Sequence, residues 1–286
     1  MTFLEAILLG ILQGLTEFLP ISSSGHLVLA QTFLGLKEPL VFFDVMLHVG
    51  TLAAVLVVYR EAIGKLAIDG ISALASPQLW REPSATFNTS SELKFIWLIL
   101  LGSIPTGVIA VLFKDQLESF FHEVRLVSVM LILTGLILQL PRGNTQAKTL
   151  RKRDVEGGDT SSSELKTWHA PLIGIAQGCA ITPGISRSGT TISLALFLGI
   201  PAKTAAEYSF LLSIPAILGA VVLKIRDVGD TAISLHIVGA GMLAAFIVGY
   251  IALRFLLAVL NRGKFSLFSY YCIALGLVSL LIALTQ

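Results

Sequence analysis

Charge is what this sequence has least of. Of its 286 residues only 13% are Asp, Glu, Lys or Arg, about half the share of a soluble domain, while 55% are hydrophobic and the mean hydropathy is +0.84. Too little polar surface remains to coat a globule of this length, which argues against a soluble enzyme. Cysteine is almost absent. Cys179 and Cys272 lie far apart in apolar runs and exclude a disulfide framework. No Cys/His spacing suited to a metal exists, and the four methionines form no stripe. The amino terminus lacks the basic start of a cleavable signal peptide. Net charge is only +2, too balanced to argue for nucleic acid, so composition indicates the bilayer as partner.

What the chain does have is apolar length. A helix needs about 20 apolar residues to cross hydrocarbon. Six stretches predict such spans: Val41–Tyr59, Phe95–Phe113, Leu126–Leu140, Tyr208–Leu223, Leu235–Leu260 and Leu267–Leu284. Two other apolar regions, 3–36 and 168–200, are interrupted. The first contains Glu17, Pro20 and the run Ser22 to His26; the second contains Thr182-Pro183-Gly184 and Ser186-Arg187-Ser188-Gly189. Interrupted backbone at membrane depth must be buried in protein or line a wet cavity, so both regions read as re-entrant helix pairs. The expected fold is all-α: a polytopic helical membrane protein with six spans and two re-entrant pairs.

The two interrupted regions resemble each other. A shift of 164 positions places Gly10, Ile11, Gln13, Gly14, Ile21, Ser22, Ser24 and Gly25 on Gly174, Ile175, Gln177, Gly178, Ile185, Ser186, Ser188 and Gly189. It also places Phe33-Leu34-Gly35 on Phe197-Leu198-Gly199. Each copy is a re-entrant pair followed by three spans, and an odd number of spans turns the second copy upside down. The expected organisation is an inverted repeat, residues 1–140 and 168–286, joined by a basic and polar cytoplasmic linker over 141–167. With both termini outside, the cytoplasmic loops collect most of the Lys and Arg, while Lys37, Lys114, Arg125, Lys224 and Arg226 fall outside, as the positive-inside rule requires. The polar loop Ser72–Glu92 is expected along the membrane surface. Arg254 lies near the cytoplasmic end of its span and can snorkel. Arg187 stays at membrane depth.

An ionisable side chain in hydrocarbon is costly unless paired or hydrated, so each one needs a reason. If the halves pack about a pseudo-twofold axis, the two polar breaks meet in one cavity. Gln13 and Glu17 are four apart and share a helix face. Glu17 has two readings: a buried carboxylate that pairs with Arg187, or a group for metal ligation or proton transfer. The segment Pro20 to His26 ends one helix and can start another. Hydroxyls and free amides at a helix N-terminus form an anion site, because the dipole's positive end points there. Pro183 to Gly189 offers the same cradle with a guanidinium, which grips two phosphate oxygens at once. Two facing cradles suit a diphosphate better than a single carboxylate. Ser22, Ser24, Gly25, Ser186 and Ser188 would line them, with Thr190 and Thr191 following. His26 is the natural acid, base or nucleophile, since imidazole titrates near neutral pH. His48 is a weaker candidate that can simply bond across helices; Asp44 and Glu207 read as caps or packing partners.

At these residues the sequence resembles the undecaprenyl-diphosphatase family, the bacitracin-resistance type of bacterial membrane phosphatase. The family carries a Glu/Gln-x-x-x-Glu element, then Pro-x-Ser-Ser-x-Gly-His, and later Pro-Gly-x-Ser-Arg-Ser-Gly-x-Thr. Here these stand at Gln13 to Glu17, Pro20 to His26 and Pro183 to Thr191. The resemblance covers essentially the whole chain, including Ala205 to Leu212 and Ser213 to Pro215. It implies hydrolysis of undecaprenyl diphosphate on the outer face of the cytoplasmic membrane, usually with a divalent cation, Mg²⁺ or Ca²⁺, and is compatible with a homodimer. Position 13 is Gln where many relatives have Glu, so Glu17 alone would carry metal ligation with water and substrate oxygens. The roles expected are Ser23 as attacking group with His26 as its base, with direct attack by His26 or by a water it activates nearly as well supported. Arg187, Ser186 and the amides of Ser22 to Gly25 would hold the diphosphate, and the family match assigns Thr191 to phosphate contact. Inverted repeats with broken helices are also the architecture of secondary transporters, so carriage or flipping of an anionic lipid or solute is the competing expectation.

Overall fold

Thr2 opens the first helix with a capping box: its hydroxyl accepts from the Glu5 amide, and the Glu5 carboxylate accepts from the Thr2 amide. The helix, α1 (Phe3–Phe18), stops because Leu19 precedes Pro20 and is held extended. Helix α2 (Ser23–Phe33) restarts after Ser22, whose hydroxyl accepts from the Gly25 amide at 3.2 Å. The second interrupted region repeats this pattern. Helix α8 (His169–Cys179) gives way to a turn, and α9 (Arg187–Phe197) starts after Ser186, whose hydroxyl accepts from the Gly189 amide at 3.0 Å. Helices α2 and α9 also end alike. Gly35 (φ +70°) and Gly199 (φ +84°) turn left-handed, and the amides of Leu36 and Ile200 reach back to the carbonyls of Gln31 and Ala195.

Between and after these pairs run α3 (Val41–Val58), α4 (Arg60–Ala75), α5 (Ser91–Leu112), α6 (Lys114–Phe120), α7 (Val124–Ile137), α10 (Ala202–Lys224), α11 (Leu235–Asn261) and α12 (Phe268–Thr285). The computed structural model describes residues 1–36, 40–76, 90–143, 165–224 and 233–285; among them there is no strand. The expected linker lies almost entirely outside the described residues, as does most of the loop after Ser76. Among the described residues five helices are long and apolar enough to cross a membrane, and a sixth crossing counts if α3 and α4, bent by 78° at Tyr59, form one span. The chain is a polytopic helical membrane protein. Helix α4 is an element the sequence reading did not anticipate, because Arg60, Glu61, Lys65 and Asp69 made the segment look like loop. It carries two apolar faces. Ile63 and Leu66 pack against the core, while Ile68 and Ile71 are exposed.

Helix packing pairs across the two copies. α1 lies on α11 and α8 lies on α5, so the first helix of each broken pair packs on the middle span of the other copy. Both contacts use glycine: a side chain at Gly10 would collide with the Gly241 carbonyl, and one at Gly174 with the Gly102 carbonyl. α7 and α12 pack on each other through Gly135, set against Ser269 and Ile273, and Gly276, set against Ser128 and Ile132. Around this frame the core gathers Phe18, Phe95, Tyr208 and Phe210, with Phe18 edge-on to Phe210 at 5.6 Å. The outward row Leu100, Ile104, Val108 and Val111 on α5 is exposed, an apolar stripe suited to lipid.

Candidate active site

The two breaks touch. A Cβ on Gly25 would stand 3.1 Å from the Gly184 Cα, and one on Gly189 would stand 3.2 Å from the Pro20 Cβ. These contacts are counterparts under the 164-residue shift, so the chain folds each break against the other with no side chain between. The N-terminus of α9 also docks on the C-terminus of α1: the Ser188 hydroxyl donates to the Phe18 carbonyl at 3.1 Å. Each break is held from outside by a third span. Thr134 on α7 donates its hydroxyl to the Gly184 carbonyl at 2.8 Å and accepts from the Ser186 amide at 3.0 Å. Cys272 on α12 reaches the Pro20 carbonyl at 3.5 Å.

Glu17 is the centre of the arrangement. It is buried, and four side chains from four helices converge on it. The Arg187 guanidinium bonds Oε1. Oε2 accepts from the Ser23 hydroxyl at 2.6 Å and from the Gln13 amide at 3.0 Å, and His48 Nε2 stands 3.3 Å away. Ser23 and Arg187 occupy the same place in the 164-residue shift, each the first residue of its helix. The two helix starts therefore aim at one carboxylate. A buried carboxylate needs such partners, since desolvation alone would disfavour its charged form.

Two polar atoms here have no partner among the described residues, Arg187 Nη1 and Gln13 Oε1. A buried donor and a buried acceptor left open beside a helix N-terminus are a place for a ligand's atoms, because an unmade buried hydrogen bond is expensive.

His26 is buried at the start of α2 but does not meet Ser23. Its Nδ1 lies 2.7 Å from the Ser22 carbonyl and its Nε2 lies 2.8 Å from the Tyr271 hydroxyl. A carbonyl only accepts, so Nδ1 carries a proton and neutral imidazole leaves Nε2 bare. The expected Ser23–His26 couple is thus not assembled: the Ser23 hydroxyl donates its hydrogen bond to Glu17 instead. The cradle residues divide. Ser22 and Ser186 cap their helices, Gly25 fills the contact between breaks, and Ser24, half-buried, lies 3.4 Å from the Ser22 hydroxyl. Ser188 is turned onto α1. Thr191 is buried with its hydroxyl on the Arg187 carbonyl at 2.8 Å and on Ser209 at 2.6 Å. Its contacts are those of a residue that steadies Arg187. Arg254, exposed, bonds Tyr250 at 2.8 Å. Asp44 accepts from Gln31 at 2.7 Å.

Two residues of the site were undervalued or missed in the sequence. His48 is an ionisable group in an apolar span, and its position four residues after Asp44 was the available signal: its Nδ1 sits on the Asp44 carbonyl at 2.7 Å, which aims Nε2 at Glu17. Tyr271 gave no signal, because a tyrosine near a span end is ordinary in membrane proteins.

Fold and site together define an integral membrane protein in which two broken helix pairs bring a guanidinium, a carboxylate and two imidazoles to the meeting of two helix N-termini. The model of the family described as bacitracin resistance protein BacA matches residues 6–278, and the chain belongs to that family. An undecaprenyl-diphosphatase of Desulfosudis oleivorans is 43% identical over 98% of both chains. One from Desulforapulum autotrophicum is 39% identical over 98% of both. One from Methanobrevibacter smithii is 37% identical over 100% of this chain and 99% of its own.

Proposed function

We propose that this chain hydrolyses undecaprenyl diphosphate to undecaprenyl phosphate and inorganic phosphate, the step that recycles the lipid carrier of cell-wall synthesis and confers bacitracin resistance. The observation that carries the reading is the convergence of Ser23 and Arg187, first residues of two facing helices, on Glu17, with Arg187 Nη1 left open. The family and the shared name of full-length relatives support the same chemistry.

In this reading Arg187 Nη1 and the first-turn amides of α2 and α9 hold the diphosphate and stabilise charge that spreads over the transferred phosphoryl group. Glu17 keeps the guanidinium in place, and Thr191 with Ser209 steadies its backbone. His26 Nε2, the bare nitrogen, takes the proton of an attacking water. The water oxygen bonds to the terminal phosphorus, the anhydride P–O bond breaks, and its electron pair leaves with undecaprenyl phosphate. Ser23 serves Glu17 rather than attacking.

A divalent cation, Mg²⁺ or Ca²⁺, fits here only as a minority of its ligands. No group of three or more His, Cys, Asp or Glu among the described residues suits a metal. Glu17 Oε1, with one hydrogen bond, and the unpartnered Gln13 Oε1 would hold it, with diphosphate oxygens supplying the rest. When bound, it neutralises charge on those oxygens.

We further place the protein in the bacterial cytoplasmic membrane as an inverted repeat, with the site open to the outer side. The distribution of Lys and Arg supports the orientation of the spans, the paired contacts of α1 with α11 and α8 with α5 support the repeat, and the outward opening rests on the family likeness. Carriage of an anionic lipid uses the same architecture but needs no bare imidazole at the site, which favours hydrolysis. The deciding assay is phosphate release from C55 diphosphate by the full chain in detergent, where no second compartment exists. Release is expected; its absence would overturn the phosphatase reading and favour transport.

A further inference from the structure

His26 Nε2 is not open to an incoming group. The Tyr271 hydroxyl sits on it at 2.8 Å, and the two rings lie parallel, 6° apart in plane, with centroids 5.7 Å apart. Because Nδ1 holds its proton on the Ser22 carbonyl, the hydrogen bond at Nε2 runs from the tyrosine O–H to the bare nitrogen. An O–H donor therefore already stands where the hydroxyl of an attacking water would stand. Tyr271 belongs to α12, in the other copy, and its side chain is far more open than the histidine it covers: Tyr271 is 47% exposed and His26 8%. Its neighbour Cys272 is buried with Sγ 3.5 Å from the Pro20 carbonyl, and α12 packs closely on α7 through Gly135 and Gly276, so the backbone of α12 is held in place. The movable part is the tyrosine side chain.

We infer that Tyr271 is a positioning residue of this site that caps His26 Nε2 until substrate arrives and yields that place to the attacking water. The inference rests on the phosphatase reading. The phenol suits the task because its oxygen donates to neutral imidazole and, after a turn of the O–H, accepts from imidazolium. It thus holds the neutral ring before substrate arrives and can return to accept from the imidazolium N–H once the water's proton has been taken. A phenylalanine would keep the stacked ring and lose the cap.

The test uses the full chain in detergent and two readouts. The first is the rate at which diethyl pyrocarbonate modifies His26, followed by peptide mass spectrometry so that the other histidines do not interfere. The second is KM against kcat for C55 diphosphate. With Tyr271→Phe, His26 modification is expected to rise about three- to tenfold, the size of one net hydrogen bond, and KM is expected to change more than kcat. Tyr271→Leu, which removes the ring as well, should raise modification further. Modification and KM at wild-type values in both variants would overturn the inference. If the wild type releases no phosphate, the phosphatase reading falls, while faster modification in Tyr271→Phe still supports the cap.

Discussion

In the first break the chain turns at Ser22, the only non-glycine residue with positive φ among those described (+70°); in the second it turns at Gly184 (φ +96°), and Ser186, the counterpart of Ser22, stays extended at φ −76°. The first break therefore holds a strained serine where the second relies on glycine, at a cost of about 1–2 kcal/mol for a left-handed L-residue. Their cargo differs in the same sense. Glu17, Ser23 and His26 stand in the first, where Ile181, Arg187 and Thr190 stand in the second. The two breaks thus share one frame, two capped helix starts pressed together, and the chemistry comes from where they disagree. One copy brings a carboxylate and an imidazole, the other a guanidinium, and the opposite charges pair across the contact.

The largest effect should come from erasing the difference at the imidazole. His26→Thr gives the first break the residue of the second. Hydrolysis should fall about 10²–10⁴-fold, the usual contribution of a general base, while labelled C55 diphosphate still binds. A variant that keeps more than a tenth of its turnover would break the division between a reacting copy and a holding copy. Next comes the guanidinium. Arg187→Lys keeps the charge but loses the planar fork that serves Glu17 and leaves Nη1 free; kcat/KM should drop about 10- to 100-fold, the value of one charge-assisted hydrogen bond. Equal kinetics would mean that charge alone suffices there.

The smallest effects concern the backbone and are read from unfolding midpoints in detergent. Gly184→Ala should cost about 1–3 kcal/mol from its conformation alone, and a Cβ there would also meet the Val127 carbonyl. Ser22→Gly should change stability by less than about 1 kcal/mol, since relief of the strained φ offsets the lost cap. Should both substitutions cost the same, the two turns are not built differently in the way argued.

Much of this was legible beforehand. The spans over α5, α7, α10, α11 and α12 and both interruptions follow from hydropathy and from Pro20 and Pro183, because helix breakers and polar runs act locally. Ser22 and Ser186 as helix caps follow from residue type. The pairing of Glu17 with Arg187 was one of two readings open for the carboxylate, and the ion pair between the buried Glu17 and the part-buried Arg187 realises it. Three things were not legible. The bend at Tyr59 that makes α4 a separate helix depends on packing against α5. His48 was expected to bond across helices, but its partner Glu17 was not legible because their distance is set by how α3 lies on α1. Ser23 and His26, three apart on one helix, looked like a couple, yet the helix turns Ser23 to α1 and His26 to α12.

The scarcity of charge, the length of the apolar runs and the repeated polar breaks determined that this protein crosses a membrane with broken helices and determined which few residues need explaining. Those are properties of short segments, and short segments decide hydropathy, helix starts and helix stops. Which of these residues face each other was decided only by the tertiary structure. Glycine-to-carbonyl contacts between α1 and α11 and between α8 and α5 set the distance between copies. Only at that distance does Arg187 reach the carboxylate that Ser23, Gln13 and His48 already surround, and Tyr271 cover one imidazole nitrogen.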